Sequence, residues 1–391
     1  MKKAKRLKSV PPYLFAEIDK KKEAALAKGV DIISLGIGDP DKPTFPNIVE
    51  KMKLAVADPK NHDYPPYAGT KEFRKAACDF YKKRFGVAFD PDKNVVSVLG
   101  SKEGIAHSFL AFTDPGDIVL VPDPAYPVYS VWSKFVDAIP HYMPLKAENG
   151  FLPELKAIPE KAAKKATMLW INYPNNPTGA VAPKEFYQEV VAFCKKYDIL
   201  LCSDLAYAEM AFDGYKPISI FEAEGAQDIA IEFYSLSKGF NMTGWRSGFV
   251  VGNEEAIKTF SIIKTNTDSG IFKAIQEVSV EALSGSDKYI SKQNDTVLKM
   301  RRDALISGLN SLGWELSAPK ATFYIWAPVP KGYTSMQFCS EVLEKCGIII
   351  VPGNGYGQSG EGYFRAAITV EEKRIKEAIE RLKKASIKYT K

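Results

Sequence analysis

Three short polar clusters each follow an apolar run that reads as a strand, and their residue types suit chemistry on a carbonyl group. The run Thr167–Ile171 leads into Asn172-Tyr173-Pro174-Asn175-Asn176-Pro177-Thr178-Gly179. The run Ile199–Ser203 ends at Asp204, with Tyr207 just beyond. The run Ile229–Tyr234 ends in Ser235-Leu236-Ser237-Lys238, and Arg246 follows. In an open parallel sheet, ligands bind beyond the carboxyl ends of the strands, so these clusters are expected to converge on one ligand. A lysine amine at a partly desolvated edge can attack a carbonyl carbon and form a Schiff base. A carboxylate can hold a protonated ring nitrogen. A tyrosine and an asparagine can hydrogen-bond a phenolate oxygen, and serine hydroxyls with an arginine can bind a phosphate. Pyridoxal 5'-phosphate is the cofactor that asks for all of these together.

Taken singly, each residue has a plainer reading. Lys238 reads as a solvated lysine, Asp204 as a cap, and Asn176-Pro177-Thr178-Gly179 as a turn. Ser235 and Ser237 read as strand-end residues and Arg246 as a surface ion pair. Order and placement at successive strand ends favour the joint reading. Rival motifs fail: Gly36-x-Gly38 lacks the third glycine of a dinucleotide fingerprint, and there is no phosphate-binding G-x-x-x-x-G-K-[ST]. No G-x-S-x-G nucleophile elbow occurs. The three histidines, His62, His107 and His141, have no metal-ligand spacing, so no metal is expected.

The elements that must position these clusters alternate in type. Val95–Val98, Ile118–Val121, Ala138–Met143, Thr167–Ile171, Ile199–Ser203, Ile229–Tyr234 and Gly248–Gly252 read as strands. Glu103–Phe112, Tyr126–Val136, Pro183–Tyr197 and Glu254–Thr265 read as helices. Continuous apolar strands separated by helices predict an α/β fold with a mostly parallel sheet covered on both faces. After about residue 280 the pattern changes to a long polar helix (Lys288–Leu312), a strand (Thr322–Trp326), a helix (Ser335–Lys345), a strand (Gly347–Val351), a glycine-rich loop, a strand (Tyr363–Ile368) and a last helix. That predicts a smaller α+β domain, with Pro12–Lys28 packed on it and a cleft between the two.

Composition sets the outer bounds. The 391 residues are 46% apolar and 26% charged, as in ordinary globular proteins, and predict at least two domains. No run of eighteen apolar residues occurs, so no membrane span is expected. The net charge of +6 comes from Lys2, Lys3, Lys5, Arg6 and Lys8 at one end and Arg381, Lys383, Lys384, Lys388 and Lys391 at the other. Without those ten the balance turns negative, so no nucleic-acid groove is expected. Five scattered cysteines with no C-x-x-C pair read as reduced thiols of a cytoplasmic protein.

With these residues in order, the chain resembles the fold-type I pyridoxal-phosphate aminotransferases of the aspartate aminotransferase class. The motifs are Tyr64–Gly69 (YxxxxG), Asn176–Gly179 (NPTG), Asp204–Tyr207 (DxAY), Ser235–Lys238 (SxSK) and Gly244–Arg246 (GWR). The likeness runs from about Tyr13 to the C-terminus. A narrower resemblance is to the LL-diaminopimelate aminotransferase family. It rests on Tyr13–Ile18, Ile33–Pro40, Gly100–Gly104, Asp123–Tyr129, Glu148–Pro153 and Gly360–Arg365.

That resemblance implies a seven-stranded sheet in a large cofactor domain (38–280), a small domain (13–37 and 281–391) and an N-terminal arm (1–12). It implies pyridoxal-phosphate-dependent transamination of LL-2,6-diaminopimelate with 2-oxoglutarate. Lys238 would be the Schiff-base lysine and proton shuttle, Asp204 the partner of the ring nitrogen, and Asn176 and Tyr207 the partners of the phenolate oxygen. Ser101, Lys102, Ser235, Ser237 and Arg246 would surround the phosphate, and Tyr126 would stack on the ring. Arg365 would bind the substrate α-carboxylate. Tyr13 and Gly38 would line the substrate side, with Lys102, Tyr126 and Asn176 also near the substrate. Tyr64 and the segment Asn266–Asp268 would reach in from the second subunit of a homodimer. The rival readings are an aspartate, alanine or aromatic aminotransferase and, further off, a β-lyase using the same cofactor. In one branch of the diaminopimelate enzymes a glutamate near the glycine of the YxxxxG segment reads the distal ammonium. Here Tyr64-Pro65-Pro66-Tyr67-Ala68-Gly69 holds no acid.

Overall fold

The computed structural model describes residues 1–8, 14–27 and 29–390. Tyr13 lies outside the described residues. After β1 (Ile33–Ser34), the strands β2 (Val95–Val98), β3 (Ile118–Asp123), β4 (Ile139–Pro144), β5 (Ala166–Ile171), β6 (Leu200–Asp204), β7 (Ala230–Ser235) and β8 (Gly248–Gly252) form the main sheet, β1 standing apart from it. The order is β2-β8-β7-β6-β5-β3-β4, and only β8 runs against its neighbours. The expected mostly parallel seven-stranded sheet is therefore present.

Its strands, the edge strand β4 excepted, are buried on both faces because alternate side chains enter two different cores. Met168 and Trp170 of β5 face one side, among Phe109, Tyr129, Phe233 and Val250. Leu169 and Ile171 face the other, among Tyr234, Phe249 and Val251. On the first side Trp170 is sandwiched between Phe109 and Tyr129, with ring centroids 5.5 and 4.9 Å away. That stack locks Tyr129, which matters for the site.

The second unit contains β9 (Tyr324–Pro328), β10 (Ile348–Ile349), β11 (Val351–Pro352) and β12 (Tyr363–Ala367). β11, β12 and β9 form an antiparallel sheet, while β10 pairs in parallel with β1. Helices Lys299–Ser311, Ser335–Cys346 and Glu372–Lys384 close over them, burying Leu305, Leu309, Phe338, Val342, Ile375 and Leu382. Lys21, on helix Leu14–Ala27, donates to Ser340 Oγ at 3.0 Å, so this N-terminal helix is tied to the second unit.

Four departures from the expected elements have physical causes. The helix expected from Tyr126 begins at Val128, because Pro127 disfavours helical geometry at the residue before it. The strand expected from Thr322 begins at Tyr324, since Thr322 has φ +68° and its Oγ1 accepts the Tyr324 N–H. The expected single strand Gly347–Val351 is two, because the chain leaves one sheet at Ile349 and joins the other at Val351. The long helix carries a wide π-type turn at Asn294–Leu298, where Asn294 Nδ2 donates to the Glu209 carbonyl and Gln293 accepts from Asn241. Helices Pro46–Ala57, Lys71–Phe85 and Lys273–Gly285 had no sequence assignment above. Thr70, which caps the second of these through the Phe73 N–H, was a legible signal for it.

Candidate active site

β5, β6 and β7 run parallel, so their carboxyl ends open on one edge of the sheet. A cavity of about 460 Å³ lies there, between that edge and β9 and β12. Asn176, Asp204, Tyr207, Ser235, Ser237, Lys238 and Arg246 line it together with Gly38, Ser101, Lys102, Tyr126 and Arg365. Tyr64 and Asp268 do not.

Asp204, the last residue of β6, is fully buried. Its Oδ2 accepts from Tyr129 OH at 2.7 Å, while Oδ1 has no partner. Burial pushes its carboxyl up to about 6, against the opposing pull of the Tyr129 hydroxyl and the Ala206 N–H. An orphaned carboxylate oxygen on a residue that lines the cavity suits a cationic N–H donor, because an unmatched buried charge is costly. Asn172 supports the same wall: its Nδ2 donates to the Asp204 carbonyl and its Oδ1 accepts the Asn176 N–H.

The raised carboxyl has a stability consequence. Because the folded-state value lies above the unfolded one, the protonated form favours folding. That contribution is complete below about pH 4 and is lost as pH rises through about 6. In the ligand-free protein D204N removes this dependence. Relative to the parent, it should gain about 2 kcal/mol between pH 4 and pH 7. Urea denaturation at the two pH values measures this, and a pH-independent difference would contradict it.

At the other end, helix Ser101–Phe112 starts after Gly100, which has φ +82° and offers no side-chain cap. A Cβ on Gly100 would sit 2.3 Å from Arg246 Nη2. Arg246 is held by the carbonyls of Thr243 and Leu99 at 2.8 and 3.1 Å. Lys102 has its pKa lowered by burial and by the Arg246 charge. Two cations and a helix N-terminus make this end fit for a phosphate. Ser235 Oγ accepts the Ser237 N–H, which tightens the turn into Lys238.

Lys238 lines the same cavity, and its Nζ donates to the Gly38 carbonyl at 2.7 Å. Arg365, 1% exposed, donates to Asn176 Oδ1 at 2.9 Å and to the Gly36 carbonyl at 2.7 Å. Its guanidinium lies over the rings of Tyr324 and Tyr356, at 4.0 and 4.9 Å.

Tyr64 is 84% exposed on the surface. The Asp268 carboxylate is occupied by Lys264 Nζ at 2.7 Å and by the Gly270 N–H. Lys264 is itself fully buried and also reaches Glu103. The two surface segments touch, since Gly270 lies against Pro65 and Pro66. Sequence reasoning gave no role to Tyr129, Asn172, Tyr324 or Tyr356. Asn172, directly after a strand run, carried a usable signal. The others reach the site only through packing.

A family model described as aminotransferase class I and II matches residues 30–382. The chain belongs to that family. Among the relatives of this aminotransferase is LL-diaminopimelate aminotransferase 2 of a Nostoc species, 57% identical over 390 residues that cover both chains entirely. LL-diaminopimelate aminotransferase of Halothermothrix orenii is 56% identical over 389 residues, again covering both chains. In solved structures, substrate-bound BacF of Bacillus subtilis superposes with TM-score 0.96 at 35% identity, covering 100% of this chain and 99% of that one. An aspartate aminotransferase variant of Thermus thermophilus gives 0.92 at 26% identity, covering 98% and 100%.

Proposed function

We propose that this aminotransferase binds pyridoxal 5'-phosphate in the cavity and transfers an amino group from LL-2,6-diaminopimelate to 2-oxoglutarate. The unpartnered Oδ1 of Asp204 carries the cofactor reading, and full-length relatives of that name support the substrate. When bound, the cofactor supplies an aldehyde for the amino group and a ring that draws electron density from the substrate's Cα. The Asp204 carboxylate would accept the ring N–H at Oδ1 and so keep that nitrogen cationic. Asn176 and Tyr207 hydrogen-bond the phenolate oxygen, and Tyr126 covers a ring face. Lys102, Arg246, Ser101, Ser235 and Ser237 hold the phosphate. Lys238 Nζ, once free of the Gly38 carbonyl, would take a proton from the substrate's Cα as a general base and deliver it, as a general acid, to the cofactor carbon that receives the amino group. Arg365 grips the α-carboxylate, bidentate fork to carboxylate.

We further propose a homodimer in which Tyr64 and Asp268, on adjoining surface segments, complete the partner's site. On this reading the main sheet with its two covering cores is the large domain (38–280), and the second unit belongs to the small domain (13–37 and 281–391). A cytoplasmic location agrees with five cysteines that are all free and buried. No described helix is long and apolar enough to cross a membrane.

Two experiments test this reading. Borohydride reduction should leave a stable pyridoxyl adduct on Lys238; a colourless protein, or an adduct on another lysine, would refute the cofactor assignment. Steady-state kinetics with LL-diaminopimelate, the meso isomer, aspartate, alanine and phenylalanine should rank the first highest by kcat/KM. A higher rank for any other would retire the substrate assignment and leave the aminotransferase.

A further inference from the structure

Tyr324, at the start of β9, belongs to none of the motifs that mark the site, yet it touches three residues that do. Its hydroxyl lies 3.1 Å from that of Tyr207, and both side chains are buried. The Arg365 guanidinium carbon sits 4.0 Å from the centre of its ring. Gly38 packs directly on the hydroxyl: a Cβ there would lie 2.0 Å from it, so any larger residue would displace the tyrosine. The carbonyl of that same Gly38 accepts from Lys238 Nζ. Tyr324 thus stands where the lysine, the phenol partner and the carboxylate fork meet.

We propose that Tyr324 is a positioning residue whose hydroxyl aims the Tyr207 proton at the bound cofactor's phenolate oxygen and whose ring seats the Arg365 fork. A phenol has one proton and can both donate and accept. Two phenols sharing one hydrogen bond leave one proton for a third group. If that proton is to be Tyr207's, Tyr324 must be the donor of the pair. The cation over the Tyr324 ring favours this direction, because it draws electron density from that phenol and makes it the better donor. A donor chained in this way strengthens the next bond by roughly 10–30%. The ring has a separate task, holding flat a planar cation whose outer nitrogens now donate to Asn176 Oδ1, at the cavity wall, and to the Gly36 carbonyl.

The inference rests on the cofactor reading above, so the test is built to separate the two. Purified holoenzyme, Y324F and Y324L are compared by the pH at which visible absorbance changes and by the KM for amino donor and keto acid. Donation to the phenolate oxygen keeps it deprotonated, so weakening that donor moves the transition to higher pH. Y324F should raise it by about 0.5 pH unit and leave both KM values within about twofold. Y324L should show a similar shift and raise both KM values about tenfold. Y324F keeps the ring and the packing, so it carries the test if Y324L fails to fold. A parent protein with no visible absorbance refutes the cofactor reading. A coloured parent whose transition Y324F leaves unmoved overturns the role given to Tyr324.

Discussion

K238A should lower kcat by about 10⁴-fold or more, because one substitution removes both the attacking amine and the proton carrier. Among the described residues the cavity offers no substitute at that position. Lys102 lies at the phosphate end of the cavity, beside Arg246, and its pKa is lowered by burial and by that charge. Lys264, fully buried, is engaged by Glu103 and Asp268. Cofactor retention should survive in part, since the phosphate end and Asp204 are untouched. The check is kcat together with the absorbance of the purified variant. Residual turnover above about a hundredth of the parent would mean that another group moves the proton.

Replacing Asp204 should have the second-largest effect. In D204A the buried wall loses the carboxylate proposed to face the ring nitrogen, and kcat should fall by about 10³-fold. The size follows from the environment: Asp204 is buried, its Oδ2 is fixed by Tyr129, and its Oδ1 is kept for one partner. A preorganised charge in a dry site acts at close to full strength at the moment of reaction. D204N keeps the shape and the approach of Tyr129, so a similar loss there would assign the effect to charge and not to a cavity. Rapid mixing of holoenzyme with amino donor, without keto acid, isolates the proton-transfer half. A loss below tenfold in that half would remove Asp204 from the chemistry.

Much of the architecture was legible because the signals are local. Apolar runs as short as those ending at Ile171, Asp204 and Ser235 mark strands buried on both faces, and their order with helices implies parallel pairing. Polar residues just past those ends could be read as one cluster without knowing any distance. Helices without a continuous apolar stripe were harder. Lys71–Phe85 is charged along most of its length, yet it buries Phe73, Cys78, Phe80, Tyr81 and Phe85.

The linear order of residues determined which chemical groups this protein possesses and on which edge of a parallel sheet they emerge, since strand direction and periodicity are properties of neighbours along the chain. Tertiary structure alone decided how those groups are tuned. Tyr129 meets Asp204 because a Phe109–Trp170–Tyr129 stack fixes it under the sheet. Arg365 meets Asn176 because two units far apart in sequence pack face to face, and it meets Tyr324 because β12 pairs with β9. Burial, orphaned atoms and shared protons arise only when distant segments exclude water together, and no spacing of residues records that.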